Sequence, residues 1–157
     1  MIRPLRAADK DPVMELIRET GMFTAAEVKV AEELVDFFLN RREQKDYRIE
    51  VLEEEDGAIV AYVTWGPTPL TDGTFDLYWI AVSPRSQGKG YGTRLMRWVE
   101  DKIKEDKGRV LIIETSSQPM YEGTRQFYLK QQYQEVVRIA GYYKPGDDRV
   151  IYAKYFA

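Results

Sequence analysis

Between residues 75 and 107 the chain switches from a strand-like to a helix-like repeat across a turn of alternate glycines, an arrangement few folds accommodate. Phe75 to Val82 reads as a strand, Thr93 to Lys107 as a helix, and Gln87-Gly88-Lys89-Gly90-Tyr91-Gly92 lies between them. The first N–H groups of a helix have no intrahelical partner and sit at the positive end of its dipole. A strand, glycine turn and helix in that order can therefore seat a phosphate, provided no side chain intervenes. Glycine permits both the close approach and any positive φ that the turn requires. Arg85, Lys89, Arg94 and Arg97 surround the turn with no Asp or Glu among them, although the net charge of the chain is −3. That local reversal of sign points to an anionic ligand.

Two commoner phosphate loops do not fit. A Walker loop follows Gly-Lys with Ser or Thr to hold magnesium, whereas Gly90 follows Lys89 here. A dinucleotide fingerprint spaces its last two glycines three apart near the first strand of a βαβ unit, whereas Gly88, Gly90 and Gly92 are two apart and mid-chain. The order Gln87, two residues, Gly90, one residue, Gly92 instead resembles the signature of the GNAT superfamily of N-acetyltransferases. The resemblance extends back through Ile80-Ala81-Val82-Ser83-Pro84 and forward into Leu95-Met96. A second block, Arg125-Gln126-Phe127-Tyr128-Leu129-Lys130 followed by Tyr133, is similar to a later helix and strand of the same family.

Composition narrows the chemistry mainly by what it lacks. With no Cys there is no disulfide, thiol nucleophile or thiolate metal site, and with no His there is no Ser-His-Asp triad or imidazole base. Proton transfer is left to Asp, Glu, Lys, Tyr or water. No metal is required. The acidic balance disfavours nucleic acid as a partner. No stretch has the apolar length of a membrane span and Met1-Ile2-Arg3-Pro4 lacks a signal peptide's apolar core, so a cytoplasmic location is expected. At 157 residues, one domain over 1–157 is expected.

In chain order, Ile2 to Arg6 reads as an edge strand around Pro4. Asp9 or Asp11 is placed to cap a helix reaching Gly21, with Pro12 in its first turn. Thr24 and Glu27 have capping-box spacing, and Val28, Ala31, Leu34, Val35, Phe38 and Leu39 repeat helically toward Asn40. Tyr47 to Leu52 and Ala58 to Trp65 read as a hairpin around a solvated acidic turn, Glu53 to Gly57. Gly66 to Gly73 reads as a loop beside the active site. Strict alternation would put Asp76, Tyr78, Ile80 and Val82 on one face of the next strand and Leu77, Trp79 and Ala81 on the other. Arg109 to Glu114 is apolar enough to be a strand covered on both faces. A short helix around Phe127 and Tyr128 precedes two strands, Tyr133 to Ala140 and Arg149 to Tyr155, joined by a loop holding Tyr142 and Tyr143. This order indicates a mixed α/β sheet.

The resemblance implies more. It implies a mostly antiparallel central sheet of about seven strands flanked by helices and splayed between its two central strands. It implies acetyl-CoA as the donor, held by the main chain of Ile80, Ala81 and Val82 and of Gln87, Gly88, Lys89, Gly90, Tyr91 and Gly92, with Thr93 as a hydroxyl donor. It implies Tyr128 as the acid that protonates the departing thiolate, although Tyr121 stands where the family often has Asn. Asp76 is the candidate base, with Glu114 as an alternative. The acceptor expected is a primary amine on a small molecule or peptide, with Tyr142 and Tyr143 bordering its pocket and a homodimer left open. A non-catalytic acyl-CoA sensor and a protein N-terminal acetyltransferase are the competing expectations.

Overall fold

The computed structural model describes residues 1–156. Seven strands form one sheet: β1 (Ile2–Pro4), β2 (Arg48–Glu53), β3 (Ile59–Pro67), β4 (Thr74–Val82), β5 (Val110–Ser116), β6 (Gln134–Lys144) and β7 (Asp147–Tyr155). Their order is β1-β2-β3-β4-β5-β7-β6, and every neighbouring pair is antiparallel except β4 with β5. Four helices flank the sheet: α1 (Lys10–Glu19), α2 (Ala25–Asn40), α3 (Tyr91–Glu105) and α4 (Glu122–Lys130). None of the described helices is long and apolar enough to cross a membrane.

The two helix layers cover different extents of the sheet. On one face Leu95, Met96, Val99 and Ile103 of α3 and Tyr128 of α4 pack on residues from β2 through β7. Each such aliphatic side chain contributes about 1.5–3 kcal/mol on burial, which is why α3 is held firmly against the sheet. On the other face α1 and α2 bury Val13, Met14, Leu16, Ile17, Ala31 and Val35 against β2, β3 and the end of β4. No residue of β5, β6 or β7 belongs to that second core, so half of this face is free of helices.

The splay follows from the β4–β5 register. Pairing runs from Thr74 opposite Val110 to Leu77 opposite Ile113 and then stops, although both strands continue. From there β5 stays with β7, while the β5-facing side of Tyr78 to Val82 has no strand partner. The strands thus open into a fork just past Leu77 and Ile113.

A β-bulge at the fork corrects the alternation read from sequence. Thr64 faces Trp79 and Trp65 faces Leu77, so Tyr78 is an extra residue in β4. An inserted residue reverses the parity of everything beyond it. Phe75 and Leu77 therefore share the α3 face with Ile80 and Val82, while Trp79 and Ala81 pack toward α1 and α2.

Other elements shift less. The Thr24–Glu27 capping box forms reciprocally, with both bonds at 3.2 Å. Asp9 precedes α1 but does not cap it with its side chain. Its carboxylate instead takes two bonds from the Arg3 guanidinium, at 2.6 and 3.0 Å, and one from the Arg6 N–H at 2.8 Å. A bidentate charged partner outcompetes a neutral cap. β3 continues through Gly66 and Pro67, where a Cβ on Gly66 would lie 2.0 Å from the Asp46 carbonyl oxygen. The connecting loop shrinks to residues 68–73 and lies at the N-terminal end of β4, the opposite end from the glycine turn. β6 likewise absorbs Tyr142 and Tyr143, leaving a tight turn at Pro145-Gly146.

Candidate active site

The glycine turn supplies an array of unmet donors. After β4, a 3₁₀ turn over Pro84–Ser86 leads into Gln87, and α3 begins at Tyr91 with Gly90 as its N-cap, two residues before the expected Thr93. Arg94 is the first residue of the helix whose N–H finds a main-chain acceptor, the Gly90 carbonyl at 3.0 Å. Among the described residues, no main-chain N–H from Gln87 through Thr93 donates to a protein group. The N-terminus of a long helix adds its dipole to this array.

The three glycines divide by use. Gly88 and Gly90 adopt φ of 81° and 78°, and a Cβ at either would meet nothing within 4 Å. Their conformation and the open space above them suit a ligand pressed against the main chain. Gly92 has an ordinary φ, and a Cβ there would lie 3.3 Å from the Phe127 ring, so this glycine lets α3 and α4 close on each other. Thr93 joins the same contact: its hydroxyl accepts from the Gln131 amide at 2.9 Å and keeps its own proton to donate.

Surrounding charges differ from the simple basic cluster in the sequence. The acidic turn after β2 folds against the glycine turn, with the Tyr91 hydroxyl bonded to the Glu54 carboxylate and Lys89 3.5 Å from it. Glu53 pairs with Arg3 at 2.5 Å. The turn is thus partly structural rather than merely solvated. Arg85 reaches Glu19 at 3.3 Å, whereas Arg94 and Arg97 have no carboxylate partner among the described residues.

At the fork, possible proton carriers lie on opposite faces of the sheet. Tyr128 is 4% exposed and its ring packs 5.8 Å from that of Tyr152. Tyr152 is the register partner of Ile113, the last β5 residue paired with β4, which sets Tyr128 level with the fork on the α3 side. Burial, with the nearby Tyr152, holds the Tyr128 phenol well above its usual value and keeps it protonated. On the open face, Asp76 pairs in register with Ile112 one residue before the fork, and Glu114 comes one residue after it. The Asp76 carboxylate accepts a 2.5 Å bond from the Thr68 hydroxyl. Glu114 is ion-paired with Arg149 and accepts a 3.4 Å bond from the Tyr143 hydroxyl.

A family model described as the acetyltransferase (GNAT) family matches residues 13–133, most of the chain. The chain belongs to the GNAT family of acetyltransferases. A relative from Bacillus subtilis (strain 168), S-(2-succino)cysteine N-acetyltransferase, is 32% identical over 124 residues, covering 76% of this chain and 70% of the relative. A crystal structure assigned to the GNAT family, from Desulfovibrio desulfuricans, superposes with a TM-score of 0.95 at 36% identity, covering 100% of this chain and 99% of that one. An aminoglycoside 6'-N-acetyltransferase solved with coenzyme A shares the fold, with a TM-score of 0.76 at 16% identity over 99% of this chain and 96% of its own.

Within this GNAT chain, the residues expected at the donor site fall into two groups. Gln87 to Thr93 are contiguous at the α3 N-terminus, and Ile80, Ala81 and Val82 form the end of β4 that pairs with β3 alone. Tyr128, Asp76 and Glu114 gather at the fork, whereas the loop over residues 68–73 approaches only Asp76, through Thr68. Tyr121, the departure from the family pattern, donates from its hydroxyl to the Met22 carbonyl at 2.7 Å, bridging the segment after β5 to the α1–α2 connection. Glu54, Gln131 and Arg149 were missed in the sequence reading. Only Glu54 left a trace there, as a carboxylate in an acidic turn. The other two depend on contacts between distant segments.

Proposed function

We propose that this protein is an acetyl-CoA-dependent N-acetyltransferase that moves the acetyl group directly to a primary amine of a small molecule or peptide within a ternary complex. The observation that carries the proposal is the continuous set of unpartnered N–H groups from Gln87 through Thr93, following directly on the end of β4 whose β5-facing edge is unpaired. Donors in a row at a helix N-terminus are complementary to a diphosphate. The free edge of Ile80, Ala81 and Val82 is complementary to the amides of an extended arm, by strand addition.

Acetyl-CoA supplies an activated acyl group. The chain's own residues orient that group and move protons. Tyr128, buried and protonated at the level of the fork, is proposed as the phenol that donates to the departing sulfur. An amine of the lysine type, with a pKa of about 10.4, must lose a proton before it attacks. Asp76 is proposed to receive that proton through water, with Glu114 as the second carboxylate in reach of the fork. Only Leu77 separates Asp76 from Tyr78, so a water on the open face can connect it to the opening. Nothing in this scheme uses a metal or a covalent acyl-enzyme.

The relative named for acetylating a cysteine conjugate supports a small-molecule acceptor. The test is calorimetry with coenzyme A, followed by thiol release from acetyl-CoA with amino acids, polyamines, aminoglycosides and short peptides. Coenzyme A binding with release for at least one amine is expected. Binding without release for any amine would mark a non-catalytic acyl-CoA module, and absence of binding would remove the donor site itself.

A further inference from the structure

We propose that Arg149 is the anchor for a carboxylate on the acceptor, and hence that the acceptor is a free α-amino acid rather than a simple amine or a peptide N-terminus. This rests on the acetyltransferase reading above and adds to it the residue that selects the substrate.

Arg149 and Glu114 lie on the sheet face that α1 and α2 leave open. The β5–β7 register sets Glu114 opposite Ile151 and Ser116 opposite Arg149, so the two side chains are diagonal neighbours just past the fork. They form an ion pair whose side chains are 29% and 43% exposed. The Arg3–Asp9 pair, at 10% and 8%, is by contrast closed to solvent. An open pair in water is weakly held, so its members can exchange partners with a ligand.

The Arg149 guanidinium is prepared for a second acceptor. The Tyr142 ring lies 5.0 Å from its central carbon and fixes its plane. Its Nε–H is buried with no hydrogen-bond partner. A buried donor left unmet is costly, and the guanidinium fork is matched in shape to a carboxylate that takes two bonds. The Tyr143 hydroxyl lies 3.4 Å from the Glu114 carboxylate, beside the other member of the pair.

An α-amino acid carries its ammonium and carboxylate on one carbon. Complementary charges already in contact are what such a zwitterion requires: the ammonium goes to Glu114, the carboxylate to Arg149, and net charge in the site is unchanged. A polyamine brings only cations and leaves Arg149 uncompensated. A peptide N-terminus offers an amide where the carboxylate should be. Docked this way, the amine sits on Glu114, the residue at the opening of the fork, on the opposite face of the sheet from Tyr128.

The test compares S-(2-succino)-L-cysteine and the common L-amino acids with their α-carboxamides, in thiol release from acetyl-CoA. An accepted amino acid should exceed its carboxamide at least tenfold in kcat/KM. Arg149→Gln should raise the amino-acid KM at least tenfold and erase the preference for acid over carboxamide, with the acetyl-CoA KM within twofold of wild type. Arg149→Lys should recover part of the preference, since it restores charge without the fork. Equal turnover of acid and carboxamide, or a preference that survives Arg149→Gln in a protein with an unchanged melting temperature, overturns the anchor. So does acetylation of spermidine with no amino acid accepted. Each of those results leaves the acetyltransferase reading intact, whereas failure to bind coenzyme A or to release thiol with any amine overturns both.

Discussion

Replacing Gly90 with alanine separates what the glycine turn does for the fold from what it does for a ligand. The residue has φ 78° and ψ 15°, the left-handed region, and an added Cβ would meet nothing within 4 Å. The only cost to the folded protein is therefore conformational, about 1–2 kcal/mol for a non-glycine residue in that region. For a domain of this size that lowers the melting temperature by roughly 2–4 °C per kcal/mol. Gly21 is the internal control: its φ is 66°, a Cβ there also meets nothing, and it follows α1, outside the row of unpartnered N–H groups. Gly21→Ala and Gly90→Ala should melt at similarly lowered temperatures. Only Gly90→Ala should weaken coenzyme A, because its methyl would hold the diphosphate off the adjacent N–H groups. Loss of one charge-assisted hydrogen bond costs about 1.5–3 kcal/mol, or roughly 10- to 100-fold in affinity. Calorimetry on both variants decides the matter. An unchanged coenzyme A Kd in Gly90→Ala, alongside the shared loss in melting temperature, would show that the glycine serves the turn alone.

Tyr128→Phe should reduce kcat by roughly 10²- to 10⁴-fold while leaving coenzyme A affinity within twofold, and normal turnover would retire the phenol as the acid. Asp76→Asn and Glu114→Gln should differ in their kcat/KM against pH: the variant that loses the rising limb identifies the carboxylate receiving the amine proton. Burial holds the phenols of Tyr62, Tyr128 and Tyr133 above their usual value of 10. Their neutral forms therefore favour the fold below pH 10, and that contribution is lost as pH rises from 10 toward the raised values. Urea midpoints should fall between pH 10 and 11, by up to about 1.4 kcal/mol per pH unit for each phenol, and a flat profile there would contradict the burial. The Arg3 guanidinium, outweighing the cost of burial, depresses the Asp9 carboxyl below its usual 3.8, so its contribution is present above that value and lost as pH falls through the depressed one. Asp9→Asn should cost about 1.5–3 kcal/mol, read as a lowered urea midpoint, and not the larger cost of a stranded buried charge, because the Arg3 guanidinium keeps Glu53 as its second partner.

The glycine turn and the helix it starts were readable from the chain because their determinants are local. A strand, three alternate glycines and a helix within a few dozen residues set up the row of unpaired N–H groups without help from distant segments. The Thr24–Glu27 box was readable for the same reason. Failures came wherever a distant partner had the deciding role. Strict alternation in β4 was broken by its pairing with β3, since the bulge at Tyr78 exists only in the register of Thr64 and Trp65 against Leu77 and Trp79. Asp9 has a cap's position and a cap's chemistry, but Arg3 offered it two charged bonds. Tyr142 and Tyr143 looked like loop residues because Pro145 and Gly146 follow them, yet pairing with β7 extends β6 to Lys144. The proposed acceptor half is built almost wholly from such distant pairings: Glu114 meets Arg149 and Tyr143 only once β5, β6 and β7 are in register. On the proposed reading, a short local motif suffices for donor recognition, whereas acceptor choice depends on residues from three separate strands. The acceptor was for that reason the part of the function hardest to read from the chain, and Arg149 is the position at which to test it.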